Sequence, residues 1–123
     1  MGKFAIKQAK NGPMFNLKAR NGQIVGTSEV YSSMSACKAG IESVRKAVAK
    51  AKIEDQTLAV PEKLTNPKFE IYKDKRGEFR FRLRASNGEN ILAGEGYKSK
   101  YSCKNGIASI CKNAPDAEVV EED

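Results

Sequence analysis

Three arginines on alternate positions are the residues of this sequence whose types and spacing most plainly indicate a chemistry. Arg80, Arg82 and Arg84 alternate with apolar residues, so a β-strand would place all three guanidinium groups on one face. A guanidinium binds phosphate through paired hydrogen bonds, and an earlier matching segment carries two further cations. The pattern predicts weak, sequence-independent binding of nucleic acid or another polyanion at Lys18, Arg20, Arg80, Arg82 and Arg84. Five contacts to duplex phosphates would give a log K against log salt slope of about −4.5.

The same arginines also have a purely structural interpretation. Charged side chains keep an exposed sheet face solvated. Glu70 on the preceding strand is placed to pair with an arginine across the strands. Tyr72 on that strand offers a stacking face for a base if the binding interpretation holds. The sequence leaves both interpretations open.

A second polar set occurs twice, as Glu29 with Tyr31 and as Glu95 with Tyr97. These residues lie at predicted strand-to-helix junctions. They form either two equivalent polar sites or a structural junction that satisfies backbone groups at each helix start. An enzyme would need a pocket that holds paired carboxylates or a lysine with a perturbed pKa, for instance around these four residues.

Residues for the commonest enzyme chemistries are absent. The chain has no histidine, no phosphate-binding Gly-Lys-Ser/Thr loop and no dinucleotide glycine pattern. The sequence therefore predicts a non-enzyme with no catalytic residue, cofactor or metal site. Its cysteines, Cys37, Cys103 and Cys111, are odd in number and lack a C-x-x-C pair, which favours a reducing cytoplasm. We expect the first two in the core and the third exposed.

The elements that position these residues come from an internal repeat. Between positions 15 and 46, fourteen residues are identical to those 66 positions later. The repeat predicts two copies at 3–50 and 68–114, each with two alternating strands, an Asn-Gly turn, a third strand and a helix. Asn-Gly favours a type I′ turn, and serines before each helix favour capping. Helical stripes run through Cys37, Ile41, Val44 and Val48, and through Cys103, Ile107, Ile110 and Ala114.

Gly40 and Gly106 interrupt these two helices. Glycine in a helix costs about 1 kcal/mol relative to alanine. We therefore expect another backbone to approach closely at each glycine.

The remaining segments are a connector at 51–67 and an acidic tail at 115–123. The net charge is +7, but the last eight residues hold five acids and no base, so the body without them carries +12. We expect the tail to be solvated disorder, with folding back onto the basic face as the alternative. A half of about 50 residues buries little apolar surface alone. We therefore expect residues 1–123 to form a single domain.

The patterns Lys-Phe-x-Ile, Gly-x-Phe-x-Phe-x-Leu, Asn-Gly, Glu-x-Tyr-x-Ser and Gly-Ile-x-Ser-Val together resemble the YegP-like family of small, uncharacterised bacterial proteins. The resemblance covers both copies, although the first copy is one residue shorter after Gly12. It implies a shared β-sheet with the C-terminal helices exchanged between the two units. It implies no activity and supplies no catalytic residue.

The expected architecture is α+β: two three-strand meanders with helices, joined in one continuous antiparallel sheet with the helices on one face. The chain would be a cytoplasmic monomer acting as an intramolecular pseudo-dimer without membrane association. The function that the sequence favours is a non-enzymatic binding or accessory module with a basic surface. The alternative is a protein-interaction module that uses a sheet edge or an apolar patch.

Overall fold

A computed structural model of the protein describes residues 2–122. The first copy and the segment after it contain β1 (Lys3–Ala9), β2 (Gly12–Lys18), β3 (Ile24–Thr27), α1 (Met34–Val48) and β4 (Lys52–Asp55). The second contains β5 (Lys68–Lys73), β6 (Phe79–Arg84), β7 (Asn90–Ala93), α2 (Lys100–Asn113) and β8 (Glu118–Glu121). The architecture is therefore α+β, as predicted.

The strands form one sheet in the order β4-β5-β6-β7-β3-β2-β1-β8. The two copies meet at its centre, where β3 and β7 are antiparallel and share the single residue pair Thr27 and Ala93. At the margins β4 is parallel to β5 and β8 is parallel to β1. The predicted all-antiparallel sheet is wrong there, because long crossing connections, unlike two-residue hairpins, allow neighbouring strands to run in the same direction.

Both marginal strands lie in segments for which the sequence predicted no strand. The predicted connector contains β4, and the predicted acidic tail contains β8. The expectation of solvated disorder is therefore wrong for Glu118–Glu121, which pairs with the otherwise open edge of β1. The tail also folds back through Glu122, whose Oε1 lies 3.1 Å from Lys18 Nζ. Asp123 lies outside the described residues.

A hydrophobic core lies between the sheet and the two helices. Its largest side chains are the buried phenylalanines Phe4, Phe15, Phe69 and Phe81. The predicted stripes are confirmed, except that Ala47 rather than Val48 completes the buried set of α1. α1 contacts β2, β6 and β7, and α2 contacts β2, β3 and β6. Each helix thus packs on strands of both copies.

The local signals at helix starts and turns have mixed outcomes. Ser33 and Ser99 cap the helices as expected, each accepting a hydrogen bond from a backbone N–H three residues later. The predicted type I′ turns are wrong, because no non-glycine residue described has a positive φ. Instead, Gly22 N–H donates to Ala19 O, and only the glycine, at φ +87°, adopts the left-handed conformation. The same turn recurs at Gly88.

The helix glycines are explained by tyrosines rather than by a second backbone. A Cβ at Gly40 would collide with the hydroxyl of Tyr31, and one at Gly106 with the hydroxyl of Tyr97. The expected close backbone approach is therefore wrong at both positions. No helix within residues 2–122 is long and apolar enough to cross a membrane.

Candidate anion-binding surface

The three arginines of β6 lie side by side on the sheet face opposite the core, since Phe81 and Leu83 between them are fully buried. Arg80 Nε is 2.7 Å from Asp74 Oδ2. Arg82 Nε is 2.5 Å and Arg84 Nε 2.8 Å from the same oxygen of Glu70. The cross-strand pairing that the structural interpretation required is therefore present.

Glu70 belongs to a larger ionic network at the margin of the sheet. Lys68 Nζ lies 2.8 Å from Glu54 and 3.4 Å from Glu70, and both carboxylates are buried. Hydrogen bonds from Lys68, Gln56 and the Leu64 backbone hold the pKa of Glu54 at about 2. These contacts bind Lys68 and the three arginines of β6 to protein carboxylates.

The five predicted anion-binding residues thus do not form one free basic surface. Lys18 pairs with Glu122, and all three arginines of β6 pair with carboxylates. Tyr72 is covered by the Arg82 guanidinium, 4.3 Å from the ring centroid, rather than open for stacking. Among the described residues, Arg20 is the member of the set with no carboxylate within 4.0 Å.

The repeated junction residues divide into two roles. Tyr31 stacks on Phe15 with ring centroids 6.2 Å apart, and Tyr97 stacks on Phe81 at 6.4 Å. Burial raises the pKa of both phenols. Because each tyrosine also lies against a helix glycine, the tyrosines fit the structural interpretation of the junction.

Glu29 and Glu95, by contrast, are exposed and line the same cavity, which we call the seam cavity. It measures about 350 Å³ and lies where β3 and β7 diverge around Thr27 and Ala93. The glutamates flank that residue pair on opposite sides, each two positions away, so about 13 Å of extended chain separates them. This arrangement does not bring the two carboxylates together as a catalytic pair.

The buried thiols match the sequence expectation. Cys37 and Cys103 are buried, and Cys111 is exposed. Burial raises the pKa of Cys37 and takes that of Cys103 to about 11. Such thiols stay protonated at neutral pH and pack as apolar groups.

A wide concave surface forms a groove between α2 and the turn that joins β2 to β3. This α2 groove measures about 890 Å³ and is lined by Gly2, Ala19, Arg20, Asn21, Asn105, Ala108, Ser109, Lys112, Asn113 and Asp116. Arg20 and Lys112 bring two cations to it, and Asp116 brings one carboxylate. α2 itself has three lysines and no acidic residue. Of these, Lys100 pairs with Asp55 at 2.7 Å, whereas Lys104 and Lys112 have no carboxylate within 4.0 Å among residues 2–122.

The other copy provides an internal comparison for this groove. Ser43, Lys46, Ala47, Ala85, Ser86 and Asn87 line the equivalent cavity, which measures only about 240 Å³. There Ser86 stands in place of Arg20, and Ala47 in place of Asn113. Where α2 has Ala108, α1 has Glu42, which pairs with Arg45 at 2.5 Å. The two copies thus form two related grooves, of which only the one between α2 and the β2–β3 turn is wide and carries an arginine beside the lysine.

Reasoning from the sequence found Arg20 but missed Lys112, Lys104 and the polar residues of α2. Lys112 and Arg20 are 92 positions apart, so no local pattern joins them. One available signal was the absence of acids from the second helix. A second was the set of positions at which the two copies differ.

Comparisons with known proteins agree with the repeat. Residues 9–55 and 74–121 match the profile of a family described as a domain of unknown function, DUF1508. The chain is 38% identical over 114 residues to the UPF0339 protein YegP of Yersinia pestis, covering 92% of this chain and 88% of that protein. It is 67% identical over 54 residues to a UPF0339 protein of Treponema denticola, covering 44% of this chain and 93% of that protein. The solution structure of yegP from E. coli, a protein of unknown function, superposes with a TM-score of 0.79 at 30% identity, covering 98% of this chain and 92% of that one.

Proposed function

Since the chain belongs to the DUF1508 domain family, as its sequence resemblance predicted, and this family supplies no activity to inherit, we propose from the chain's own surface that it is a non-enzymatic anion-binding module of the cytoplasm. Its site is the α2 groove with the adjoining outer surface of α2. The arginine-bearing sheet face is a secondary contact at most.

The observation that carries this proposal is that two unpaired cations line one wide groove and a third adjoins it. Arg20, Lys104 and Lys112 surround or adjoin one groove without a carboxylate partner within 4.0 Å in the described part of the chain. An ion-paired guanidinium must give up or share its carboxylate to bind a phosphate, whereas an unpaired cation exchanges only solvent and counterions. Asp116 at the groove lowers the local charge, so we expect weak binding.

A salt titration tests the proposal. Three cationic contacts to a short DNA duplex give a log K against log salt slope of about −2.7, rather than the −4.5 of five contacts. Arg20→Ser, which copies the residue of the equivalent turn, reduces the slope to about −1.8. Arg76→Ser is the matched control, since it removes an equal charge from an exposed position in another turn. Equal effects of the two substitutions, or no salt-dependent binding, would contradict the proposal.

The architecture of this module is also part of the proposal. Each helix packs on strands of both copies, and the strand after each helix joins a strand of the other copy. These contacts support a monomer that acts as an intramolecular pseudo-dimer with exchanged C-terminal segments.

A second candidate function is protein binding at a sheet edge. β4 and β8 end the sheet, and both expose an apolar residue, Ile53 and Val119, each 40% accessible. An open strand edge can pair with an extended peptide. A complex that survives high salt and nuclease treatment would favour this candidate over anion binding.

A further inference from the structure

Tyr101 is the most exposed aromatic residue of the protein. Its relative accessibility is 76%, and every other aromatic side chain among residues 2–122 is buried or partly buried. The remaining tyrosines and phenylalanines pack in or against the core or lie under a cation, as Tyr72 does under Arg82. An exposed aromatic ring beside free cations is the arrangement on which unpaired nucleic-acid bases stack.

Tyr101 begins a stripe that leads into the α2 groove. Tyr101, Asn105, Ala108 and Lys112 follow one another at helical spacing, and the last three line the groove. At 1.5 Å per residue the stripe is about 16 Å long. Stacked nucleotides rise about 3.4 Å each, so the stripe matches about five of them.

The far end of the stripe suits a phosphate, and its middle suits base edges. Lys112 of α2 faces the groove from one side and Arg20 of the β2–β3 turn from the other. Asn105 and Ser109 of α2 also line the groove and can donate and accept hydrogen bonds. The side-chain amide of Asn113 already uses one N–H within the helix, where it donates a hydrogen bond to Ser109 O at 2.8 Å.

The two copies of the repeat separate what the fold needs from what this surface adds. α1 has Ser35, Ala39 and Glu42 at the positions of Tyr101, Asn105 and Ala108. Both helices pack in the same way on the sheet, so the fold does not require the aromatic ring, the amide or the loss of the acid in α2. Together these differences add a stacking face and replace the Glu42–Arg45 ion pair of α1 with the uncharged Ala108 and Cys111.

From these observations we propose that the ligand of the α2 groove is single-stranded nucleic acid, with a base stacked on Tyr101 and a phosphate held between Arg20 and Lys112. The inference rests on the proposed anion-binding function and specifies its ligand. A duplex fits less well, because its bases are already paired and stacked and offer no free face to Tyr101.

The test compares three probes on the intact chain: an oligothymidylate strand, a duplex of the same length, and inorganic polyphosphate as an anion without bases. We expect the single strand to bind more tightly than the duplex. Loss of stacking on an aromatic ring weakens binding by about tenfold per base. Tyr101→Leu should therefore lower the ratio of single-strand to polyphosphate affinity about tenfold. Ser35→Leu, the same introduced residue at the equivalent position of α1, should leave this ratio unchanged.

The outcomes separate this inference from the proposed function. If polyphosphate and duplex bind through Arg20 but Tyr101→Leu leaves the ratio unchanged, the single-strand inference is wrong and the anion-binding function stands. If none of the three probes binds in low salt, both are wrong. Two-dimensional amide NMR spectra of each variant confirm that the fold is retained before affinities are compared.

Discussion

At each strand-to-helix junction a tyrosine hydroxyl occupies the space that a helix side chain would need. Tyr31 lies against Gly40, and Tyr97 lies against Gly106 in the second copy. Both tyrosines also stack on a core phenylalanine. The glycine therefore contributes space rather than conformational freedom, and its cost to the helix is offset by the packed ring.

Gly40→Ala should lower the free energy of unfolding by about 1–3 kcal/mol, because the added methyl group displaces the tyrosine ring. Tyr31→Phe removes the atom nearest to that methyl group, so Gly40→Ala should cost less in this background. Urea unfolding of the two single variants and the double variant measures this coupling. A strictly additive result, or stabilisation by Gly40→Ala alone, would show that the contact with Tyr31 does not require glycine.

Ionic contacts of one buried carboxylate hold β4 at the margin of the sheet. Its Glu54 is buried, bonds to Lys68 at 2.8 Å and accepts the backbone N–H of Leu64 at 2.7 Å. Glu54 thereby joins the connector to the start of β5. This explains how a segment with little apolar content forms a sheet margin, since its burial is stabilised by a satisfied ionic network.

Glu54→Gln should destabilise the protein at neutral pH by about 3 kcal/mol, because it leaves Lys68 and its partners incompletely paired in a buried site. Glu62→Gln, in the exposed part of the same connector, is the matched control and should have little effect. Chemical unfolding of both variants at pH 7 tests this contribution. Equal stability of the two variants would contradict it.

The same carboxylate predicts a pH dependence. The pKa of Glu54 is about 2 in the folded protein and 4.5 as the ordinary value. The stabilisation is therefore complete above pH 4.5 and is lost as the pH falls towards 2. Unfolding free energies measured across this interval should fall less steeply in Glu54→Gln than in the parent chain. Parallel curves would exclude Glu54 as a source of the acid sensitivity.

In the whole molecule, each copy completes the sheet of the other. β4 follows the first helix but pairs with β5, and β8 follows the second helix but pairs with β1. The central contact between β3 and β7 is a single residue pair. The helices and marginal strands, more than the central strand pairing, therefore join the two copies.

Residues 1–60 alone should accordingly be unstable or dimeric. This half retains β1, β3 and β4 but lacks their partners β8, β7 and β5, so three strand edges and part of the core surface are exposed. Sedimentation equilibrium and circular dichroism across a concentration series measure assembly and folding together. A folded monomer at low concentration would show that the second copy is not needed.

Sequence periodicity predicted the parts of the fold in which neighbouring residues decide the outcome. The 14 identities between the copies and the alternation around Phe81 located the repeated strands. The stripe through Cys103 and Ile107 located a helix face, and Ser99 located its start. Such patterns are predictable because strand and helix periods depend on which side of a single element is buried.

Tertiary contacts determined the remaining features, above all which charges are free. The sequence offered Glu70 as a cross-strand partner for an arginine but did not decide between pairing and free charge. Lys18 and Glu122 are 104 positions apart, so no local period reveals that Lys18 is paired. Likewise β8 forms because β1 offers an open edge. The predicted row of arginines was placed correctly on one sheet face, but the fold supplied its carboxylates and left Arg20 to meet α2 instead. Local sequence sets the direction of each side chain, and only the packing of distant segments sets its electrostatic partner.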